Sequence, residues 1–120
     1  MIYPKIISKE KLESFFFKIG LKELVKLSKL KRKGDERTSE IPHPPHLLDL
    51  YMLYMFITLN KRTTILEFGC GWSSLIMHLA LKDNEKKYKS KVFQRCKNPF
   101  EIFIINAQKE YVNIAKNNIK

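Results

Sequence analysis

The stretch Thr64-Ile65-Leu66-Glu67-Phe68-Gly69-Cys70-Gly71-Trp72-Ser73-Ser74 constrains the fold of this chain more than any other. Its first five residues are of β-favouring type and are bounded by glycine, which predicts a strand over 64–68. Gly69 and Gly71 then break it, because a residue without a Cβ lets the backbone turn tightly. Ser73 or Ser74 can cap a helix that follows, with Leu75, Ile76, Leu79 and Ala80 facing inward and Asp83 and Asn84 expected to end it. A second apolar run over 102–105 supplies another strand, and a helical pattern in Tyr111, Ile114 and Ala115 follows it. Strand, helix and strand in that order imply a parallel pair joined by a crossover. The expected class is α/β.

Upstream of this unit the pattern is helical. Leu12, Phe15, Phe16 and Ile19 form an apolar stripe that Gly20 should end, and Leu21, Leu24, Val25, Leu27 and Leu30 form another. Residues 31–40 contain no hydrophobic side chain and read as a solvated loop. Pro42, Pro44 and Pro45 then forbid helix, and a helix is expected over 46–59. The apolar stretch Leu47–Leu59 is interrupted by Asp49 and falls far short of the ~20 residues a membrane span needs, so it reads as a buried helix. Two regions result: a basic helical N-terminal region with a polar loop over 1–40, and the α/β unit over 41–120.

With 120 residues the chain suits one domain, and 44% hydrophobic content excludes disordered and collagen-like classes. The net charge of +11 is uneven: residues 1–40 contribute +5 and residues 83–98 contribute +4, the latter reading as a basic surface loop. Such charge favours anionic partners, and it also keeps a lysine-rich protein in solution. No charged n-region precedes an apolar block at the N-terminus, so a cytoplasmic location is expected. Cys70 and Cys96 lack any Cys-x-x-Cys spacing and read as free thiols. Polyproline geometry holds His43 and His46 too far apart for a metal pair, and His78 reads as a packing or surface residue. Gly71-Trp72-Ser73-Ser74-Leu75 is not a nucleophile elbow, which needs glycine at position 75.

Two ligand classes use a glycine turn between a strand and a helix N-terminus. Dinucleotide sites want Gly-x-Gly-x-x-Gly, but Ser74 stands at the third glycine position. Acidic-x-Gly-x-Gly at a strand end, carried here by Glu67, Gly69 and Gly71, resembles motif I of the class I S-adenosylmethionine-dependent methyltransferases. The wider stretch is similar to bacterial members with a Gly-Trp-Ser form of that motif, Ser73 standing where many members have a third glycine. The resemblance implies a Rossmann-like parallel sheet that binds S-adenosylmethionine through Glu67, Phe68, Gly69, Cys70, Gly71, Trp72 and Ser73. A carboxylate at 67 has a physical use there, since it can engage the cofactor's ammonium directly or through water. Asn106 falls where the family carries an acidic residue for the ribose hydroxyls; an amide accepts such a bond without the charge.

The family's sheet has seven strands, and this chain supplies two at most. Strand 64–68 should therefore expose an unpaired apolar edge, which folded proteins avoid. The expectation is the cofactor-binding N-terminal half of a methyltransferase, its missing strands supplied by a C-terminal half or another chain. No catalytic residue and no metal ligand is assigned. The methyl acceptor is expected to be a small molecule or glycan-type compound, with nucleic acid a further possibility and no integral membrane segment. Two rival readings are a nicotinamide-dependent Rossmann oxidoreductase and a non-enzymatic basic module that binds nucleic acid or a membrane surface.

Overall fold

Ser8 opens the first helix, α1 (Lys9–Lys18), by accepting at its Oγ from the N–H of Lys11 at 3.4 Å. The structure is a computed structural model and describes residues 1–29, 44–69, 71–92 and 99–105 together with 113, 114, 116, 117 and 119. The loop over 31–40, His43, Cys70, Cys96 and Asn106 lie outside the described residues. Helix α1 buries Leu12 and Phe16 and ends as its glycine predicted. Gly20 has φ +81, which lets Leu21 N–H reach Phe16 O at 2.9 Å and Gly20 N–H reach Phe17 O at 3.2 Å. The chain thereby reverses into α2 (Lys22–Ser28), which buries Leu24 and Val25.

Helix α3 (Leu47–Leu59) is apolar on almost every side because neighbours surround it. Helices α1 and α2 pack against it, and α4 (Trp72–Val92) covers it elsewhere. Phe15 from α1 sets its ring edge-on to Tyr51 at 5.0 Å and Tyr54 at 5.1 Å, both buried on α3. The end of α3 repeats the closure of α1 without a glycine. Lys61 takes φ 50, its N–H bonds Thr58 O at 3.3 Å, and Arg62 N–H bonds Ile57 O at 3.0 Å.

From that turn the chain enters β1 (Thr64–Phe68), crosses through α4 and returns in β2 (Glu101–Ile105). The strands pair in parallel, in register from Thr64↔Glu101 to Phe68↔Ile105. Successive strand residues point to opposite faces. Ile65 and Ile102 pack against the helical core, whereas Leu66, Phe68, Phe103 and Ile105 are 56%, 79%, 45% and 53% exposed on the other face. Strand β1 pairs on one side only among the described residues. The described residues thus form an α/β arrangement of four helices and a two-stranded parallel sheet, and residues 113, 114, 116, 117 and 119 are helical as well.

One expectation is corrected. Asp83 and Asn84 do not end the fourth helix, which runs on to Val92 through what reads as the start of a basic loop. Asn84 is 1% exposed and turns inward, its Nδ2 donating to Arg62 O at 2.8 Å and Ile57 O at 3.2 Å. Asp83 pairs with Lys87 at 3.2 Å, and Lys82 with Glu85 at 3.3 Å. Both pairs have the helical spacing that supports continuation. Residues 93–98 lie outside the described residues. The inward face of α4 also differs in detail: Ile76 and Ala80 are fully buried, Met77 and Leu81 join them, and Leu75 is half-buried.

Candidate functional site

The site forms where β1 meets α4. Strand alternation aims Glu67 towards the helices and Phe68 away from them. Gly69 follows with φ +93, a conformation that costs an L side chain about 1–2 kcal/mol. Its N–H donates to Ile105 O at 2.7 Å, which extends the parallel pairing one step past the strand end. Helix α4 then starts at Trp72.

The first turn of α4 is tied back to the strand. Ser73 Oγ donates to Glu67 Oε1 at 2.6 Å, and Ser74 Oγ donates to Glu67 Oε2 at 2.9 Å. Ser74 Oγ in turn accepts from Gly71 N–H at 3.3 Å, and Ser74 N–H donates to Gly71 O at 3.1 Å. Gly71 is therefore the cap residue, and Ser74, three positions on, reaches back to it as the third residue of a capping box does. The 2.6 Å bond from Ser73 has the length of the strong, charge-assisted kind. Each carboxylate oxygen has accepted one bond, and a carboxylate offers about four acceptor positions. Among the described residues, half of its capacity is left for another donor.

Gly71 differs from Gly69. Its φ lies outside the left-handed region, and a Cβ built on it would meet nothing within 4 Å. The fold itself has no need for glycine at this exposed position. Trp72 is half-buried and packs against the helical core. Of the residues the sequence assigned, Glu67, Gly69, Gly71 and Ser73 come together here, while Phe68 points to the outer face of the sheet. Cys70 and Asn106 lie outside the described residues. The sequence reading missed the bond of Ser74 to Glu67. A signal existed: Ser74 shares a helix face with Met77, Leu81 and Asn84, and all four are buried.

His78 on α4 is half-buried, and its pKa is lowered chiefly by that burial and secondarily by Lys82, against an opposing pull from Glu85. His46, at the start of α3, places Nδ1 3.1 Å from Asp49 Oδ2 in an exposed setting. Among the described residues no helix is long and apolar enough to cross a membrane. No protein-family model, no curated protein and no solved structure matches this chain.

Proposed function

We propose that this chain is the S-adenosylmethionine-binding portion of a methyltransferase with a Rossmann-like sheet. The observation that carries the reading is the Glu67–Ser73–Ser74 clasp, a carboxylate held in one orientation at the carboxyl end of a parallel strand, beside a helix N-terminus. In open parallel sheets that is the end where ligands bind. The acceptor positions of Glu67 that no described residue occupies suit an ammonium group, which is how the residues present fit the methionine end of the cofactor. Gly71, with open space in front of it, lets a ligand approach the backbone closely. The cofactor supplies an electrophilic methyl group on a sulfonium sulfur. The residues of this chain bind and orient, Glu67 at the ammonium and Asn106, at its sequence position, at the ribose hydroxyls. Catalysis in such a site comes from holding the two reactants in line.

A dinucleotide fits less well. Its pyrophosphate would sit against a carboxylate at the same turn, and like charges repel at that range. Ser74, at the third glycine position of the dinucleotide pattern, has its hydroxyl engaged by that carboxylate. The apolar residues Leu66, Phe68, Phe103 and Ile105 on the outer face call for cover, and further strands or helices from a longer chain or a second chain would provide it. The positive charge suits an acceptor bearing phosphate, whether a sugar nucleotide or nucleic acid.

The test is a far-UV circular dichroism melt with and without S-adenosylmethionine, and with NAD in parallel. Ligand at 100 times its dissociation constant adds about 2.7 kcal/mol, which for 120 residues raises the midpoint by about 10 °C. Gly71→Arg should leave the ligand-free midpoint where it is, since the space is open, and abolish the shift. A shift with NAD alone would transfer the assignment to a nicotinamide enzyme. No shift with S-adenosylmethionine would end the proposal.

A further inference from the structure

Ten large hydrophobic side chains are exposed among the described residues, and they fall into two groups and one isolated residue. Leu66, Phe68, Phe103 and Ile105 make the outer face of the sheet, and Ile114 stands apart. The other five, Met1, Ile2, Tyr3, Ile6 and Phe17, belong to the N-terminal arm and α1, with exposures of 72%, 56%, 72%, 75% and 49%.

The arm is held in place although its side chains face solvent. Asn60, capping the end of α3, accepts from Ile2 N–H at 2.7 Å and donates through Nδ2 to Ile2 O at 2.8 Å, a two-point clasp on the arm's backbone. Tyr3 lies edge-on to Phe56 of α3, with ring centroids 6.0 Å apart. Ile7 packs against the core and anchors the other end. Folding therefore presents Met1, Ile2 and Ile6 outward on an ordered backbone, so binding through them costs little further ordering. Lys5 lies within the same arm and Lys9, Lys11 and Lys18 on the helix that follows it, all exposed and none in an ion pair among the described residues. No acidic residue occurs before Glu10.

We infer that this arm seats the protein on the surface of an anionic lipid bilayer, with Met1, Ile2, Tyr3 and Ile6 in the headgroup–acyl boundary and the lysines on the lipid phosphates. Bulky aliphatic groups and exposed ammonium groups on one segment complement that boundary, which is apolar on its inner side and negative at its surface. Nucleic acid complements the lysines and offers bases to stack on Tyr3 and Phe17, but it gives Met1, Ile2 and Ile6 no apolar phase to enter. The protein lies on the bilayer rather than through it, in line with the absence of a spanning helix among the described residues.

Vesicle flotation of the full chain tests the inference. It should float with phosphatidylcholine mixed with phosphatidylglycerol, weakly with phosphatidylcholine alone, and less as salt rises. The double variant Ile2→Ser/Ile6→Ser should lose at least about tenfold in partitioning. Lys5→Glu/Lys9→Glu should lose about 25-fold or more, near fivefold for each lysine removed from an anionic surface. Lys86→Glu/Lys116→Glu, the same charge change outside the arm and α1, should retain most of the binding. Phe68→Ser/Phe103→Ser should leave flotation unchanged. Four results would each overturn the inference: no flotation on anionic vesicles; equal loss in the arm lysine variant and the Lys86/Lys116 variant; flotation abolished by the sheet-face variant but not the arm variant; or binding to a DNA duplex without binding to vesicles. Should the serine variant fail to melt cooperatively, the comparison of the two lysine variants decides alone.

Discussion

Removing the Glu67 carboxylate should weaken the fold as well as the site, and the size of the effect follows from the two hydroxyls it holds. Ser74 is fully buried, so in Glu67→Ala its hydroxyl loses its acceptor within the fold. An orphaned buried donor costs about 1–3 kcal/mol. Ser73 is half-buried, and its 2.6 Å bond can be exchanged for one to water at a net loss of about 1 kcal/mol. The sum is about 3 kcal/mol. Unfolding entropy of ~2.1 cal/mol/K per residue over 120 residues is about 0.25 kcal/mol/K, so the melting midpoint should fall by about 12 °C. Glu67→Gln keeps one good acceptor and should lose about half as much. A double-mutant cycle of Glu67→Ala with Ser74→Ala should return a coupling of about 1–2 kcal/mol. Midpoints within ~2 °C of the parent for Glu67→Ala, or strict additivity in the cycle, would refute the clasp.

Three other outcomes follow from the packing. Asn84→Asp places a carboxylate against the carbonyl oxygens of Ile57 and Arg62 with no donor to meet it, so the urea midpoint should drop by the equivalent of more than ~3 kcal/mol. Phe16→Ala empties a fully buried position beside Phe15, 5.3 Å away between ring centroids, and should cost about 3–5 kcal/mol by the same measurement. The pKa of His78 is depressed in the folded state, so the unfolded chain binds the extra proton more readily there and stability rises with pH. That contribution is complete above the unfolded value of ~6.5 and is lost as pH falls below it towards the folded pKa. Midpoints compared at neutral and mildly acid pH should converge in His78→Gln relative to the parent; an unchanged pH slope would remove His78 from the account.

How much of this was legible in the chain depended on how local each cause is. Strand 64–68 and helix 47–59 were readable because an apolar run of set length and its glycine or proline borders lie within one window. The length of α4 was not. Asp83 and Asn84 are breakers by local preference, but Asn84 bonds the carbonyls of residues 57 and 62, and only the packing of α3 on α4 reveals that partner. The turn at Lys61 was equally silent, since a lysine with φ 50 gives no glycine signal. Within the candidate site the spacing of Glu67, Gly69 and Gly71 stood out, whereas the link from Glu67 to Ser74 requires knowing that the helix starts at Trp72 and which face it presents to the strand.

The clasp makes Glu67 a member of two systems at once, and that shapes how its role must be tested. A carboxylate that receives an ammonium group binds it better when its orientation is set beforehand, and Ser73 and Ser74 set it. The same bonds join the strand end to the helix, so any change at Glu67 alters stability and ligand affinity together and cannot separate them. Gly71 can. Its backbone N–H and O each bond Ser74, bonds that any residue's backbone can make; it takes an ordinary φ and faces open space, so Gly71→Arg fills the volume in front of the turn without touching the clasp. A Gly71→Arg protein that melts like the parent and no longer responds to S-adenosylmethionine assigns the turn to ligand binding. One that melts like the parent and still responds assigns the clasp to the fold alone, with the ligand held elsewhere.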